Sequence, residues 1–357
     1  MSHAPPPVAP RRGWRTVLLA IAAVVLAGGM AAAVRPLVAP PPVAAPPPSP
    51  SPPPSPAAPL PPASELPPPE PEPTPAPEPE PTVAPEPETD QPPVAPRMRP
   101  FTGLSTWIDI YDTDLTPQQQ VARAASGGVE LLFVQSARHK SPTDIQDPQR
   151  LAETIEHAHD AGLQVMVWYV PDFRRQARDL RRSQTAIAFT TPRGDRPEAF
   201  GLDNEIEDLP DPAERSRRLL ALSRRLRRWV GPDYPMAAIV LPPLQLDLRP
   251  GWWPEFPFAE LRAYYDVYIP MSYSSFRGTD AETTYRWNVG NVREMRSRAS
   301  DPALPVHLAG GIADNFPEVG TFVRAVRDID AIGGGLYDLH TTHPDAWPIL
   351  RRLRARP

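Results

Sequence analysis

The sequence has no cysteine, which excludes disulfides, thiolate metal sites and cysteine nucleophiles. Lysine is nearly as scarce: Lys140, in the loop-like stretch ARHKS, is the only one, and the other 36 of the 37 basic residues are arginine. Schiff-base chemistry needs a lysine set deep in an apolar pocket, which this stretch does not offer. A basic excess is also missing. From residue 101 onward there are 31 basic and 34 acidic residues, a net of about −3, so nucleic acid is not an expected partner. Of the histidines, His157 and His159 fall on a helix-like stretch, and His340 and His343 lack metal-ligand spacing to nearby carboxylates. No metal and no cofactor are expected, and nothing in the sequence sets an oligomeric state.

Long hydrophobic runs are absent but for one. Residues 16–34, TVLLAIAAVVLAGGMAAAV, are 19 uncharged residues. At about 1.5 Å per residue they match a hydrocarbon layer of roughly 30 Å. Arg11, Arg12 and Arg15 precede the run and only Arg35 follows closely, which by the positive-inside tendency leaves the N-terminus in the cytoplasm. The expectation is a single-pass cell-membrane protein whose C-terminal part is extracytoplasmic. The alternative is a cleaved signal peptide with Ala31 to Ala33 at the cleavage site, giving a secreted protein.

Proline is what the chain has in excess, with 34 of its 56 prolines in the first 100 residues. Residues 36–99 are Pro, Ala, Glu and Ser with few large apolar side chains, a composition that does not fold and favours polyproline II. Eight carboxylates from Glu65 to Asp90 add self-repulsion. Such a spacer reaches on the order of 200 Å. The organisation expected is therefore a cytoplasmic N-terminus over residues 1–15, a transmembrane signal anchor over 16–35, a disordered Pro/Glu-rich spacer over 36–99 and one folded domain over 101–357.

Within that domain, short β-rich runs alternate with helix-like stretches. The strands expected are 105–111, 130–136, 164–170, 199–207, 236–241, 266–273, 305–311 and 332–338. Helix signals lie between them: Asp147 with Pro148 ahead of one, Gly162 after it, and Asp211 and Gly231 around an arginine-rich one. In the latter, Leu219, Leu222, Leu226, Trp229 and Val230 form the stripe expected to pack inward, with the arginines on a solvated outer face. Eight β segments alternating with helices predict an α/β fold, a (β/α)8 TIM-type barrel whose functional rim lies at the carboxyl ends of its strands.

The fourth expected strand, AFGLDNEIE, sets Asp203, Glu205 and Glu207 two residues apart. A strand's period of two sends them all to the face opposite Leu202, Asn204 and Ile206, into the barrel mouth. Like charges held close raise one another's pKa, so that one carboxyl stays protonated near neutral pH as a general acid, the pairing that glycoside hydrolysis uses. Glu207 and Asp208 can equally begin the following loop.

Here the sequence resembles family 18 chitinase-like barrels, whose motif D-x-x-D-x-D-x-E ends in the acid. Aligning that end with Asp203-Asn204-Glu205 makes Glu205 the acid and Asp203 its partner. Aligning it with Glu205-Ile206-Glu207 moves both roles two residues on. IPMSYSS (269–275) resembles that family's M-x-Y-D element, with Met271 and Tyr273 present and Ser274 in place of the Asp. The resemblance implies that Tyr273 positions a substrate acetamido group, while Ser274 weakens the case for an N-acetyl sugar. WIDIYD, with Asp109 and Asp112, is similar to the start of family 25 muramidase-like barrels, where an Asp sits at the floor of the site.

The roles expected are Glu205 as acid/base, Asp203 as its partner, Tyr273 as positioner and Asp109 as a supporting carboxylate. Trp107, Trp168, Tyr169, Met271, Tyr337 and Glu207 are the candidate substrate contacts, and Trp252 and Trp253 in the loop RPGWWPEFP are expected as an exposed sugar platform. The function expected is hydrolysis of a polysaccharide. The alternative is a catalytically silent carbohydrate-binding barrel that tethers the cell surface to wall glycan.

Overall fold

In the computed structural model, residues 96–278, 280–311 and 316–355 are described. The expected transmembrane segment, and the spacer up to residue 95, lie outside the described residues. Among the described residues, no helix is long and apolar enough to cross a membrane. Residues 96–99, the end of the expected spacer, join Pro100 and Phe101 in a 3-10 turn, and the last two are buried.

All eight expected strands are present: β1 Gly103–Ile108, β2 Leu131–Arg138, β3 Gln164–Val170, β4 Ala199–Asn204, β5 Met236–Val240, β6 Val267–Pro270, β7 His307–Ala309 and β8 Gly333–Leu336. Every pairing is parallel, in the order β6-β5-β4-β3-β2-β1-β8-β7. Parallel bridges Tyr268–Val306 and Met271–Ala309 join β6 to β7 and close the ring. Around it run α1 Pro117–Gly127, α2 Pro148–Asp160, α3 Gln176–Ile187, α4 Pro212–Val230, α5 Pro243–Leu248, α6 Phe258–Leu261, α7 Ala281–Arg298, α8 Phe316–Asp328 and α9 Trp347–Leu350. A (β/α)8 barrel is therefore the architecture.

Helices α1, α2, α4 and α7 begin where a side chain satisfies one of the first free amides. Asp147 accepts from the Arg150 amide ahead of α2, and Asp211 from the Ala213 amide ahead of α4, each with proline at the first helical position. Thr116 and Gln119 form a capping box on α1.

Strand alternation splits the core into two layers. Leu104, Leu132, Val165, Val167, Phe200 and Leu202 pack outward beneath the helices and are fully buried, each stabilising by about 1.5–3 kcal/mol. The inner layer includes Ser105, Trp107, Phe133, Met166, Gly201 and His307. Gly201 leaves room for the side-chain ends of Ile239 and Met166, which a Cβ would approach at 2.9 and 3.2 Å. Gly335 is required by the backbone itself, since its Cβ would meet the Ser105 carbonyl oxygen at 2.0 Å. His307 closes the floor: Nδ1 lies 2.7 Å from the Phe101 carbonyl and Nε2 2.6 Å from Ser105 Oγ. A carbonyl only accepts, so Nδ1 carries the proton and Ser105 donates to Nε2. Burial lowers this imidazole's pKa to about 4 and keeps it neutral.

The arginine-rich α4 buries Leu219, Leu222 and Leu226 as its stripe predicts. Two positions differ from expectation. Trp229 is 47% exposed, whereas Arg215 is 2% exposed and donates to the carbonyls of Leu209 and Trp252. Its guanidinium lies 4.5 Å over the Trp253 ring. Trp252 and Trp253 are consequently buried and form no exposed platform. Trp253 donates from Nε1 to Ser216 Oγ at 2.9 Å, so the Pro/Gly-rich loop folds its large apolar surface onto α4 instead of presenting it to solvent.

Candidate active site

β4 ends at Asn204, three residues short of its expected limit. Asn204 is buried and donates from Nδ2 to the carbonyls of Leu202 and Ile239. That bond pair lies where the regular strand ends. Asp203 occupies the opposite face and is 5% exposed. Glu205 is half-buried immediately past the strand, and Glu207 is exposed in the loop beyond. The row of three carboxylates therefore reduces to one strand residue and one neighbour at its lip.

Burial first, and then the nearby Glu205 carboxylate, push the Asp203 pKa far above the usual carboxylate range. Glu205 is also raised by burial, against the lowering influence of Arg138. Glu207 is raised by burial while Arg215 and Arg249 oppose the shift. Asp203 Oδ1 has no hydrogen-bond partner among the described residues. The pair thus holds protons to a higher pH than ordinary carboxylates, with one buried oxygen still unsatisfied.

Tyr273 follows β6, and burial followed by the charges of Asp203, Glu205, Asp338 and Asp109 raises its hydroxyl pKa. It therefore stays a neutral hydroxyl among four carboxyl groups. The Tyr337 hydroxyl donates to Asp109 Oδ2 at 2.9 Å, and its ring centroid lies 5.7 Å from that of Tyr273. Trp107 packs edge-on against Phe133 at 5.0 Å and Trp168 at 5.6 Å, with Tyr337 at 5.9 Å. The Nε1 donors of Trp107 and Trp168 are buried and unpartnered among the described residues. Two indole N–H groups and one carboxyl oxygen thus remain for a polar ligand to satisfy.

Asp109 is raised chiefly by burial, although it accepts from the Tyr111 amide at 2.6 Å and from Tyr337. Asp112 is pushed up to about 8 by burial and by the charges of Asp109 and Asp338. Asp109, Asp112 and Asp338 each bring a carboxylate oxygen within 4.8 Å of the others, close enough to hold a cation. Asp338, at the end of the eighth expected strand run, was not singled out from the sequence. A carboxylate at a barrel strand's carboxyl end is the signal that points to it.

The remaining candidates divide. Met271 is 7% exposed and pinned in the wall by its amide bond to the Val240 carbonyl. Ser274 is buried, its hydroxyl directed to the Gly310 carbonyl at 3.5 Å. Tyr169 does not reach the mouth. It turns outward to donate to Asp179 of α3 at 2.7 Å, because it alternates with the inward-facing Trp168.

Three solved structures place the fold. A family 18 chitinase from Cycas revoluta in complex with allosamidin is 12% identical, with a TM-score of 0.51 over 70% of this chain and 98% of that one. The spore cortex-lytic enzyme SleL of Bacillus cereus is 8% identical, with a TM-score of 0.54 over 71% and 74%. The chain shares the barrel fold of these proteins. An endo-1,4-β-mannanase from Rhizomucor miehei is 9% identical, with a TM-score of 0.54 over 71% and 94%. At these identities the likeness concerns the fold, which hosts unrelated chemistries. No family model and no curated protein sequence matches the chain.

Proposed function

We propose that the protein is a membrane-anchored, extracytoplasmic glycoside hydrolase acting on a cell-envelope or environmental polysaccharide. The observation that carries this reading is the Asp203–Glu205 pair at the end of β4, both members held toward the protonated form beside the neutral Tyr273 hydroxyl. Glu205 stands at the lip and is the general acid, donating its proton to the glycosidic oxygen as that bond breaks, while water ends up bonded to the anomeric carbon and its released proton restores Glu205. Burial holds Glu205 toward the protonated form, and Asp203, buried behind it and itself raised by burial and by the Glu205 charge, orients the reacting group. Tyr273 positions the sugar, Asp109 fixes Tyr337, and Trp107 and Trp168 offer unpaired N–H donors within the aromatic wall. The chitinase, mannanase and cortex-lytic neighbours all have names that denote polysaccharide-degrading enzymes, which supports the substrate class. The apolar run over 16–34 and the spacer behind it support the placement outside the membrane.

A second reading has one observation in its favour. Ser274 stands where the family 18 pattern has an acidic residue and only turns its hydroxyl toward the Gly310 carbonyl at 3.5 Å, which suits a barrel that binds glycan without cleaving it. Reducing-end release by the full chain on chitin, peptidoglycan, α- and β-glucans and galactosaminoglycans separates the two. Release abolished in folded Glu205→Gln and Asp203→Asn establishes hydrolysis, whereas polymer retention without release, unaffected by either substitution, establishes the binding barrel.

A further inference from the structure

Besides the Asp203–Glu205 pair, the same rim carries a second group of polar side chains drawn from three consecutive strands. His139 directly follows β2, Asp172 lies just after β3, and Asp208 lies in the loop after β4. Each offers one ligand atom, and no two of these atoms are more than 4.8 Å apart. His139 is 5% exposed, yet neither Nδ1 nor Nε2 makes a hydrogen bond among the described residues. A buried imidazole with both nitrogens unsatisfied is costly unless something absent from the protein chain completes it.

We propose that His139, Asp172 and Asp208 form a binding site for a divalent transition-metal ion of the Zn2+ class, clamping the loop after β4 to the ends of β2 and β3.

The geometry fits such an ion. His139 Nε2 and Asp208 Oδ2 are 3.4 Å apart, and two ligands bonded tetrahedrally at about 2.0–2.1 Å stand about 3.4 Å from each other. A pair at the 4.8 Å limit needs closure of about 1.4 Å, and the Asp208 side chain, 41% exposed, is free to swing. The donor set of one imidazole and two carboxylates suits Zn2+, Co2+ or Mn2+ better than Ca2+ or Mg2+, which favour oxygen alone. Three protein ligands leave a coordination position open to water or substrate.

The surroundings are built to hold these ligands. The His139 amide donates to the Val170 carbonyl at 2.8 Å. Arg182 braces the same loop through the carbonyls of Arg138 and Ser141. Asp172 is oriented through Oδ1 by the Arg174 amide and the Arg178 guanidinium, the kind of outer support that metal ligands receive. Burial, with Arg138 and Lys140 nearby, lowers the His139 pKa to about 4, against the opposing pull of Asp172 and Asp208. The ring is therefore neutral at pH 7 and available for coordination. The site is independent of whether Glu205 cleaves a glycan.

The test uses the full chain stripped of metal and titrated with Zn2+ against a chromophoric chelator, with Co2+ substitution as a spectroscopic companion. Expected are one equivalent bound in the micromolar range or tighter and a visible Co2+ spectrum of low-coordinate type. Affinity should fall by at least about 100-fold in His139→Gln and at least about tenfold in Asp208→Asn, the latter at an exposed position that does not endanger folding. Asp112→Asn should bind like the unaltered chain. Absence of stoichiometric binding, unchanged affinity in Asp208→Asn and folded His139→Gln, or loss confined to Asp112→Asn each overturns the proposal, the last by placing the ion on the Asp109–Asp112–Asp338 cluster instead.

Discussion

The two ends of the barrel use carboxylates in opposite ways. At the amino-terminal end, an acidic residue ahead of each of three even-numbered strands caps the first amides of the strand before it. Glu130, before β2, accepts from the Leu104 amide of β1 at 3.1 Å. Glu198, before β4, accepts from the Val165 amide of β3 at 2.7 Å. Asp266, before β6, accepts from the Met236 amide of β5 at 3.0 Å and pairs with Arg227 at 2.8 Å. These carboxylates close backbone donors that would otherwise be stranded at the sheet's edge. At the mouth, Asp203 has an oxygen with no partner, and Asp109, Asp112, Asp203 and Glu205 are all pushed toward the protonated form. The same side-chain type is spent on stability at one end and left unsatisfied for a ligand at the other, as the division of labour in this fold requires.

That contrast is most sharply tested by Asp203→Asn and Glu205→Gln. Each should lower polysaccharide hydrolysis by at least about 1000-fold, ~4 kcal/mol of barrier, while the far-ultraviolet circular dichroism stays unchanged. A folded variant that keeps activity would remove the mouth's functional half of the comparison. Asp266→Ala is the converse case. It strands the Met236 amide and removes one of the partners of the Arg227 guanidinium, so urea unfolding should show a loss of about 2 kcal/mol with little change in kcat.

A subtler effect is expected in the pH dependence of stability. Asp112 keeps its proton in the folded chain up to about pH 8, against an ordinary value of 3.8. The folded state thus binds more protons than the unfolded state in that window. Stability from this group falls as pH rises from about 4 to 8, by at most about 1.4 kcal/mol per pH unit. Asp112→Asn should flatten the fall in denaturation midpoints measured across the range, and an unaltered slope would show that the cluster titrates elsewhere. The smallest change is expected for Glu207→Gln, at an exposed position past the strand. Activity should shift by less than about threefold, ~0.7 kcal/mol. A collapse as large as that of Glu205→Gln would instead favour the alignment that makes Glu207 the acid.

The barrel was legible in the sequence because its signals are local. Asp-Pro caps, strand runs of β-branched and aromatic residues, and regular alternation all act within a few residues, and the third strand matches its expected bounds of 164–170. The inward direction of Asp203 also follows from the period of two. The extent of β4 did not, since it stops at Asn204, where the side chain bonds across to β5. The outward turn of Tyr169 was available in principle from its alternation with Trp168, while its partner Asp179 is named only by the packing of α3.

Alone, then, the sequence determined the number and order of the strands and the residues near their ends, and it carries the apolar run over 16–34. Tertiary structure decided what each of those end residues is. It buried Trp252 and Trp253 against Arg215, separated Asp203 from the exposed Glu207, and gathered His139, Asp172 and Asp208 from three strands. The physical reason is that backbone conformation responds to near neighbours, whereas burial, pKa and ligand geometry depend on groups that meet only when the sheet closes.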